Sequence, residues 1–320
     1  MEKPTLLLTR RLPPNVEARA ARDFRAHLNT DDSVPTSASI VRAAEGAAAI
    51  LCSSTDRMDK ATIDALPASV RVLATFSAGT DHIDLQAARA RGLVVINTPD
   101  VLSVATAETA MLLILMAARR AAEGERLMRS GAWKGWEPLQ LIGTQISGRR
   151  LGIFGMGRIG RELARMARGF RMEVHYRNRA RLASELEAGA IFHPTDETFL
   201  PICDVLSLHA PGGDATRHWL NVARIARLPK GAVVVNTARG SIIDDAAFIA
   251  ALRSGHIAHA GLDVYDGEPN LNPEYPRLEN VALLPHLGSA TKETRDAMGD
   301  LALDGVQAVL RGERPANQVV

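Results

Sequence analysis

Cysteine is scarce in this 320-residue chain, and the two present, Cys52 and Cys203, have no metal-ligand spacing. A thiolate metal site is excluded, and no metal is expected. Each cysteine sits in an apolar stretch that reads as a strand, so both read as small buried hydrophobes, a usage that suits a reducing compartment. Long hydrophobic runs are missing as well. The longest, residues 111–118, falls well short of the roughly 18–20 residues that span a bilayer. Thr5-Leu6-Leu7-Leu8 is too short for the core of a secretory signal. The expectation is a cytoplasmic protein without membrane association. Charge of one sign is also lacking: 38 basic against 36 acidic side chains leave a formal +2. The arginines are scattered rather than massed, which argues against a nucleic-acid partner. There is no internal repeat beyond an α/β rhythm and no low-complexity segment.

What is present is a globular composition, 46% apolar and 23% charged, with length for two domains of roughly 100–200 residues each. Strand signals at residues 6–8, 48–52, 70–75 and 93–96 alternate with helical segments. One of these, 85–91, is closed by Gly92 as a C-cap. Asn97-Thr98-Pro99 breaks the pattern. A long helix is predicted over 101–128, and its nearly continuous apolar positions from 107 to 118 imply burial on most sides, as at a domain or subunit interface. Residues 133–148 have no period. From Arg150 a second unit begins, with strands at 151–154, 172–176, 204–208, 232–236, 259–262 and 281–284 and helices between most of them, including 158–169 and 244–253. A last helix, about 292–311, returns to the first unit. The fold class expected is α/β, with two Rossmann-like doubly wound parallel-sheet domains and a cleft between them. Residues 1–98 with 290–320 form a discontinuous outer, substrate-binding domain. Residues 99–289 form a dinucleotide-binding domain.

Gly155-Met156-Gly157-Arg158-Ile159-Gly160 follows a strand and opens a helix, the context that a dinucleotide loop requires. Gly155 permits the tight turn, Gly157 lets backbone approach a pyrophosphate, and Gly160 lets the helix pack on the strand. The helix N-terminus offers free N–H groups and partial positive charge to phosphates. The next strand ends Tyr176-Arg177-Asn178-Arg179, with no carboxylate at its tip to bind the adenosine 2′-hydroxyl. Glu173 lies earlier, inside the strand. Arg177, Asn178 and Arg179 would attract a 2′-phosphate through charge-assisted hydrogen bonds. The cofactor expected is NADP(H), with NAD(H) as the weaker alternative.

Carbonyl reduction needs a cation to polarise the oxygen, a proton donor, and a grip on the substrate. Arg239 follows one strand in Asn236-Thr237-Ala238-Arg239-Gly240, and its fork suits a carboxylate together with a carbonyl oxygen. His286 follows another in Pro285-His286-Leu287-Gly288 and donates a proton near neutral pH. Glu268, in Asp263-Val264-Tyr265-Asp266-Gly267-Glu268-Pro269, would raise the pKa of His286 and orient it. All three leave the C-terminal edge of a parallel sheet, where such sheets carry ligands.

The chain resembles the D-isomer-specific 2-hydroxyacid dehydrogenase family, in its glyoxylate/hydroxypyruvate reductase branch. The strings that carry the resemblance are Phe76-Ser77-Ala78-Gly79-Thr80-Asp81-His82-Ile83-Asp84, Ala105-Thr106-Ala107-Glu108-Thr109-Ala110, the glycine loop, Ser207-Leu208-His209-Ala210-Pro211, the Arg239 and Asp263 segments, and Pro285-His286-Leu287-Gly288-Ser289-Ala290-Thr291. They run in family order over nearly the whole length. The resemblance implies that Ser77, Ala78 and Gly79 form the substrate loop, with backbone N–H groups around Ala78 and Gly79 on the carboxylate. Arg239 would bridge carboxylate and ketone, and His286, partnered by Glu268, would protonate the alkoxide. Thr106, Thr237, Asp263 and Gly288 would line the nicotinamide pocket, and Ala238 and Thr216 would be further cofactor-binding residues. His209, Ala210 and Pro211 would lie beside the adenosine ribose. It implies a homodimer through the long-helix region, and cleft closure that expels water. Trp136 is similar to the branch in which a tryptophan edges the partner's substrate pocket, with plain interface packing as the alternative.

The activity expected is NADPH-dependent reduction of glyoxylate or hydroxypyruvate to the D-hydroxy acid. An NAD-linked, phosphoglycerate-type dehydrogenase and a dinucleotide-sensing corepressor-like protein are the alternatives. Formate dehydrogenases share the fold but carry glutamine where Glu268 stands.

Overall fold

The computed structural model describes residues 2–320. The chain divides into two compact units, one formed by the residues up to Leu102 with Ala290–Val320, the other by Ser103–Ser289.

The first unit is a five-stranded parallel sheet. Its strands are β1 (Thr5–Leu8), β2 (Arg25–His27), β3 (Ala49–Cys52), β4 (Val72–Thr75) and β5 (Val94–Ile96), in the order β2-β1-β3-β4-β5. Strands β3 and β4 are buried along their length and read as continuous apolar runs because helices cover both faces. The helices begin where short polar side chains satisfy free backbone donors: Asp59 accepts from the Thr62 N–H, and Asp84 from those of Gln86 and Ala87. Gly92 ends the helix Leu85–Arg91 at φ 70°, a left-handed cap. The C-terminal helix Lys292–Leu310 packs on β4 and on the helix Pro14–Asp23. Gly299 lets the two helices approach, since a Cβ there would lie 2.3 Å from a Val16 methyl. Cys52 is buried in this core, and Cys203 in that of the second unit.

The second unit is a seven-stranded parallel sheet in the order β12-β11-β10-β9-β6-β7-β8. Its strands are β6 (Arg150–Phe154), β7 (Glu173–Arg177), β8 (Ile191–Phe192), β9 (Val205–Leu208), β10 (Ala232–Asn236), β11 (Ile257–Leu262) and β12 (Val281–Leu283). Strand order reverses between β6 and β9, so the ligand crevice of such a sheet lies outside their C-terminal ends. The edge strands β2 and β8 were not foreseen. At three and two residues they are too short to show a period.

The helix predicted over 101–128 is two helices, Ser103–Ala118 and Ala121–Arg129. Arg120 sits at φ 53° between them, and its guanidinium grips both carboxylate oxygens of Glu123, in the first turn of the second helix. The Ala118 carbonyl accepts from the Thr144 N–H at 2.7 Å. A Cβ on Gly143 would meet that carbonyl oxygen at 2.3 Å, so a glycine is needed for this approach. Helix Ser103–Ala118 packs over β10, β11 and the helix Arg158–Gly169. Among the described residues no helix is long and apolar enough to cross a membrane.

Candidate active site

The glycine loop lies at the strand reversal. Gly155 has φ 94°, and a Cβ there would stand 2.4 Å from the Ala210 backbone nitrogen, so the β6 and β9 loops meet only because residue 155 lacks a side chain. A Cβ on Gly160 would press on the Gly155 carbonyl oxygen at 2.8 Å and Ile153 at 3.0 Å, which is the helix-on-strand contact read from the sequence. A Cβ on Gly157 would meet nothing within 4 Å. That position caps the helix Arg158–Gly169, and Arg158 beside it is exposed. The loop therefore fits a dinucleotide pyrophosphate: crowded where it turns, open where a phosphate would approach the helix N-terminus. Met156 is buried, and Ile159 packs against the same core.

Asn178 accepts from the Met156 N–H at 2.7 Å, tying the β7 tip to the glycine loop. Arg177 donates from Nε to Asp196 at 3.3 Å, and Arg224 donates to the other oxygen of Asp196 at 2.6 Å. Arg179 is exposed, without ion pair or hydrogen bond among the described residues. Asp196 is a carboxylate that sequence reasoning missed, because it arrives from beyond β8. On the other side of the reversal His209 lies between Ser207 Oγ (2.8 Å) and Thr237 Oγ1 (3.5 Å). Burial pushes its imidazole down to about 4, so it is neutral through the physiological range. Thr216 donates to the carbonyls of Pro211 and Gly213, closing the loop that follows Ala210.

The three residues expected to act on substrate leave successive strands. Asn236 ends β10; its side-chain oxygen accepts from the Ala238 N–H and its amide donates to the Arg239 carbonyl, which shapes the turn through Thr237. Asp263 follows β11 and is 1% exposed. Its two oxygens take the N–H groups of Leu287 (2.6 Å) and Gly288 (2.8 Å), while its own carbonyl takes that of His286. Thr106 Oγ1 donates to the Gly288 carbonyl at 3.1 Å. Burial pushes the Asp263 carboxyl up, against the two backbone donors. The loop so held presents His286 at φ 55°, with its side chain 48% exposed.

Glu268 is brought to His286: its Oε2 lies 2.8 Å from His286 Nδ1, and its Oε1 accepts from the Tyr265 N–H at 2.7 Å. The hydrogen bond to Glu268 holds His286 above its ordinary range, outweighing burial. Burial pushes Glu268 up, but His286, the Tyr265 N–H and the Arg239 charge outweigh it and hold the carboxyl below its ordinary range. Arg239 acts electrostatically on both members of the pair, so the three groups form one cluster. An imidazole bonded through Nδ1 to a carboxylate, beside a guanidinium, is chemically able to donate a proton next to a group able to bind an oxyanion.

In the other unit Ser77, Ala78 and Gly79 follow β4. Their carbonyls accept from Thr98 N–H (2.9 Å), Asn97 Nδ2 (2.7 Å) and Ser77 Oγ (2.7 Å) respectively. No acceptor among the described residues takes the Ala78 or Gly79 N–H. Trp136 is 81% exposed and makes no hydrogen bond, ion pair or ring contact among the described residues.

Residues 111–288 match the family model described as D-isomer specific 2-hydroxyacid dehydrogenase, NAD binding domain. The chain is 42% identical over 314 residues to a glycerate dehydrogenase of Hyphomicrobium methylovorum, covering 98% of each chain. It is 37% identical to a glyoxylate reductase of Thermococcus litoralis, over 99% of this chain and 97% of that one. It superposes with a TM-score of 0.89 and 32% identity on an NADPH-dependent glyoxylate/hydroxypyruvate reductase from Sinorhizobium meliloti solved with NADP and malonate, covering 100% of this chain and 97% of that one.

Proposed function

The chain belongs to the D-isomer specific 2-hydroxyacid dehydrogenase family, in its glyoxylate/hydroxypyruvate reductase branch, and from that premise we propose that it uses NADPH to reduce glyoxylate and hydroxypyruvate to glycolate and D-glycerate, with His286 as proton donor. Reduction of 2-keto acids is the chemistry of the family. The observation that carries the proposal is the His286–Glu268 hydrogen bond of 2.8 Å beside Arg239.

A reduced nicotinamide supplies the hydride when bound. Nδ1 of His286 is committed to Glu268, so the Nε2–H of the imidazolium is the donor left for the substrate carbonyl oxygen. Glu268 keeps that imidazolium populated to higher pH and fixes the ring. Arg239 stabilises the negative charge that grows on the carbonyl oxygen and grips the substrate carboxylate. In the other unit the Ala78 and Gly79 N–H groups have no protein acceptor among the described residues, which supports their expected role as donors to a substrate carboxylate. Preference for NADPH is supported by the β7 tip, where Arg177, Asn178 and the unpaired Arg179 stand in place of an acid. A homodimer through the segment after the helix Ala121–Arg129 is supported by the exposure of Trp136, Leu139 and Ile142, 81%, 81% and 60%.

A second reading, NAD linkage, draws on Asp196. Its carboxylate holds Arg177 and sets negative charge beside the β7 tip. Loss of absorbance at the NADPH band on adding glyoxylate or hydroxypyruvate, measured beside NADH, decides between the two. Turnover with NADH alone removes the NADPH assignment. Absence of turnover with either cofactor over a panel of 2-keto acids removes the reductase itself.

A further inference from the structure

Tyr265 touches all three segments that carry the cluster. Its N–H donates to Glu268 Oε1 at 2.7 Å. Its carbonyl carbon lies where a Cβ of Gly240, next to Arg239, would fall. Its hydroxyl lies 3.1 Å from the Leu262 carbonyl at the end of β11 and 2.8 Å from the Leu284 carbonyl just past β12, two residues before His286. The Leu262 carbonyl also accepts from the Leu284 N–H, whereas the Leu284 carbonyl has the tyrosine hydroxyl as its partner. The ring itself rests against Tyr275, whose hydroxyl is turned to Asp245. We propose that the Tyr265 hydroxyl is a positioning residue for proton transfer: it pins the strand end that bears His286 to the turn that bears Glu268, so that the imidazole and carboxylate keep one register.

The physical reason is geometric. His286 and Glu268 stand on separate loops, and a hydrogen bond between loops is only as constant as the distance between their bases. Several bonds fix that distance: Asp263 takes the N–H groups of His286, Leu287 and Gly288, the Leu262 carbonyl takes that of Leu284, and the Tyr265 hydroxyl reaches the Leu284 carbonyl. Of these, only the last runs from the same residue whose N–H also holds Glu268. Burial pushes the phenol well above its ordinary range, so the hydroxyl keeps its proton and remains a donor.

This inference rests on the proposed role of His286, and its deciding readout, the titration of the imidazole, does not depend on turnover. Tyr265→Phe keeps the ring and deletes the donor. The His286 imidazole is followed by NMR titration in the full-length protein, alongside the pH profile of kcat/KM. The expected result is that His286 loses its proton at lower pH than in the wild type. kcat/KM on the alkaline limb falls about tenfold, the change that a one-unit move of that limb produces, and KM for the nicotinamide cofactor is unchanged. Tyr275→Phe, which loses a hydroxyl bond on the neighbouring ring, leaves the titration where it was. An unchanged His286 titration in Tyr265→Phe, whether or not its melting temperature drops, overturns the positioning role. Unchanged turnover in His286→Ala would instead remove the proton donor, a separate failure.

Discussion

A Cβ built on Gly240 would stand 1.8 Å from the carbonyl carbon of Tyr265 and 2.0 Å from the nitrogen of Asp266. The loop that carries Arg239 and the turn that carries Glu268 thus touch backbone to backbone, and only a glycine admits that contact. Gly240→Ala must push one loop away from the other. Misplacement of a catalytic group by about 1 Å costs on the order of 100-fold. We expect Gly240→Ala to lower kcat by that order with little change in KM for the cofactor. Steady-state kinetics with a parallel thermal melt separate this from global unfolding.

The charge states of the pair set the pH dependence. In the proposed mechanism reduction needs protonated His286, whose pKa is raised above 6.5. kcat/KM for reduction therefore holds on the acid side and falls as pH rises through the raised value; the reverse oxidation runs the other way. In the ledger of stability the signs follow the same pair. The His286 contribution is complete below its unfolded value and lost as pH rises through the folded one. That of Glu268, lowered from 4.5, is complete above its unfolded value and lost as pH falls through the folded one. Glu268→Gln keeps a hydrogen-bonding side chain but removes the charge, so the alkaline limb should move to lower pH. A pH profile in which that limb stays put would deny Glu268 its role. His286→Ala should lower kcat by about 100- to 10,000-fold while cofactor binding, read by fluorescence titration, is retained.

The proposed preference for NADPH is tested at the β7 tip. Arg177→Ala with Arg179→Ala should weaken NADPH more than NADH, since only the former carries the extra phosphate. Equal losses for both would contradict the phosphate assignment. Asp196→Asn, which removes the charge holding Arg177 and Arg224, should shift preference further toward NADPH.

Asp263 is a buried carboxylate that takes two backbone N–H groups of the histidine loop. Hydrogen bonds to charged groups contribute about 1.5–3 kcal/mol each. Asp263→Ala should lower the melting temperature and cut turnover together, because the loop loses both anchors. Turnover preserved in a protein of lowered stability would separate the anchor from catalysis.

The proposed homodimer is tested on the exposed apolar segment. Trp136→Ala with Leu139→Ala should shift the sedimentation coefficient from dimer toward monomer. A wild-type protein that sediments as a monomer would remove the assignment at the outset.

Most of the sheet could be read locally. Inner strands such as Val72–Thr75 and Ala232–Asn236 announce themselves as short apolar runs, and Gly92 marks a helix end by its own conformational freedom. The break at Arg120 could not, because Arg119-Arg120-Ala121 holds only good helix formers. It depends on Thr144, which reaches the Ala118 carbonyl from a later segment. Strand-end position brought Arg239, Glu268 and His286 to notice. Tyr265, Asn236 and Asp196 stayed hidden because a tyrosine, an asparagine or an aspartate in a loop has no distinguishing pattern until its partners are known.

Residue types, strand alternation and the positions of glycine and the chargeable groups were determined by the sequence by itself, since each depends on neighbours a few positions away. The sequence pointed to Glu268 as the partner of His286; the tertiary structure alone set their 2.8 Å approach across 18 residues and decided that Asp263 anchors the loop 24 residues on. Those distances follow from the register of β11 against β12, which pairs Leu262 with Leu283, and register is a property of the packed sheet rather than of either strand.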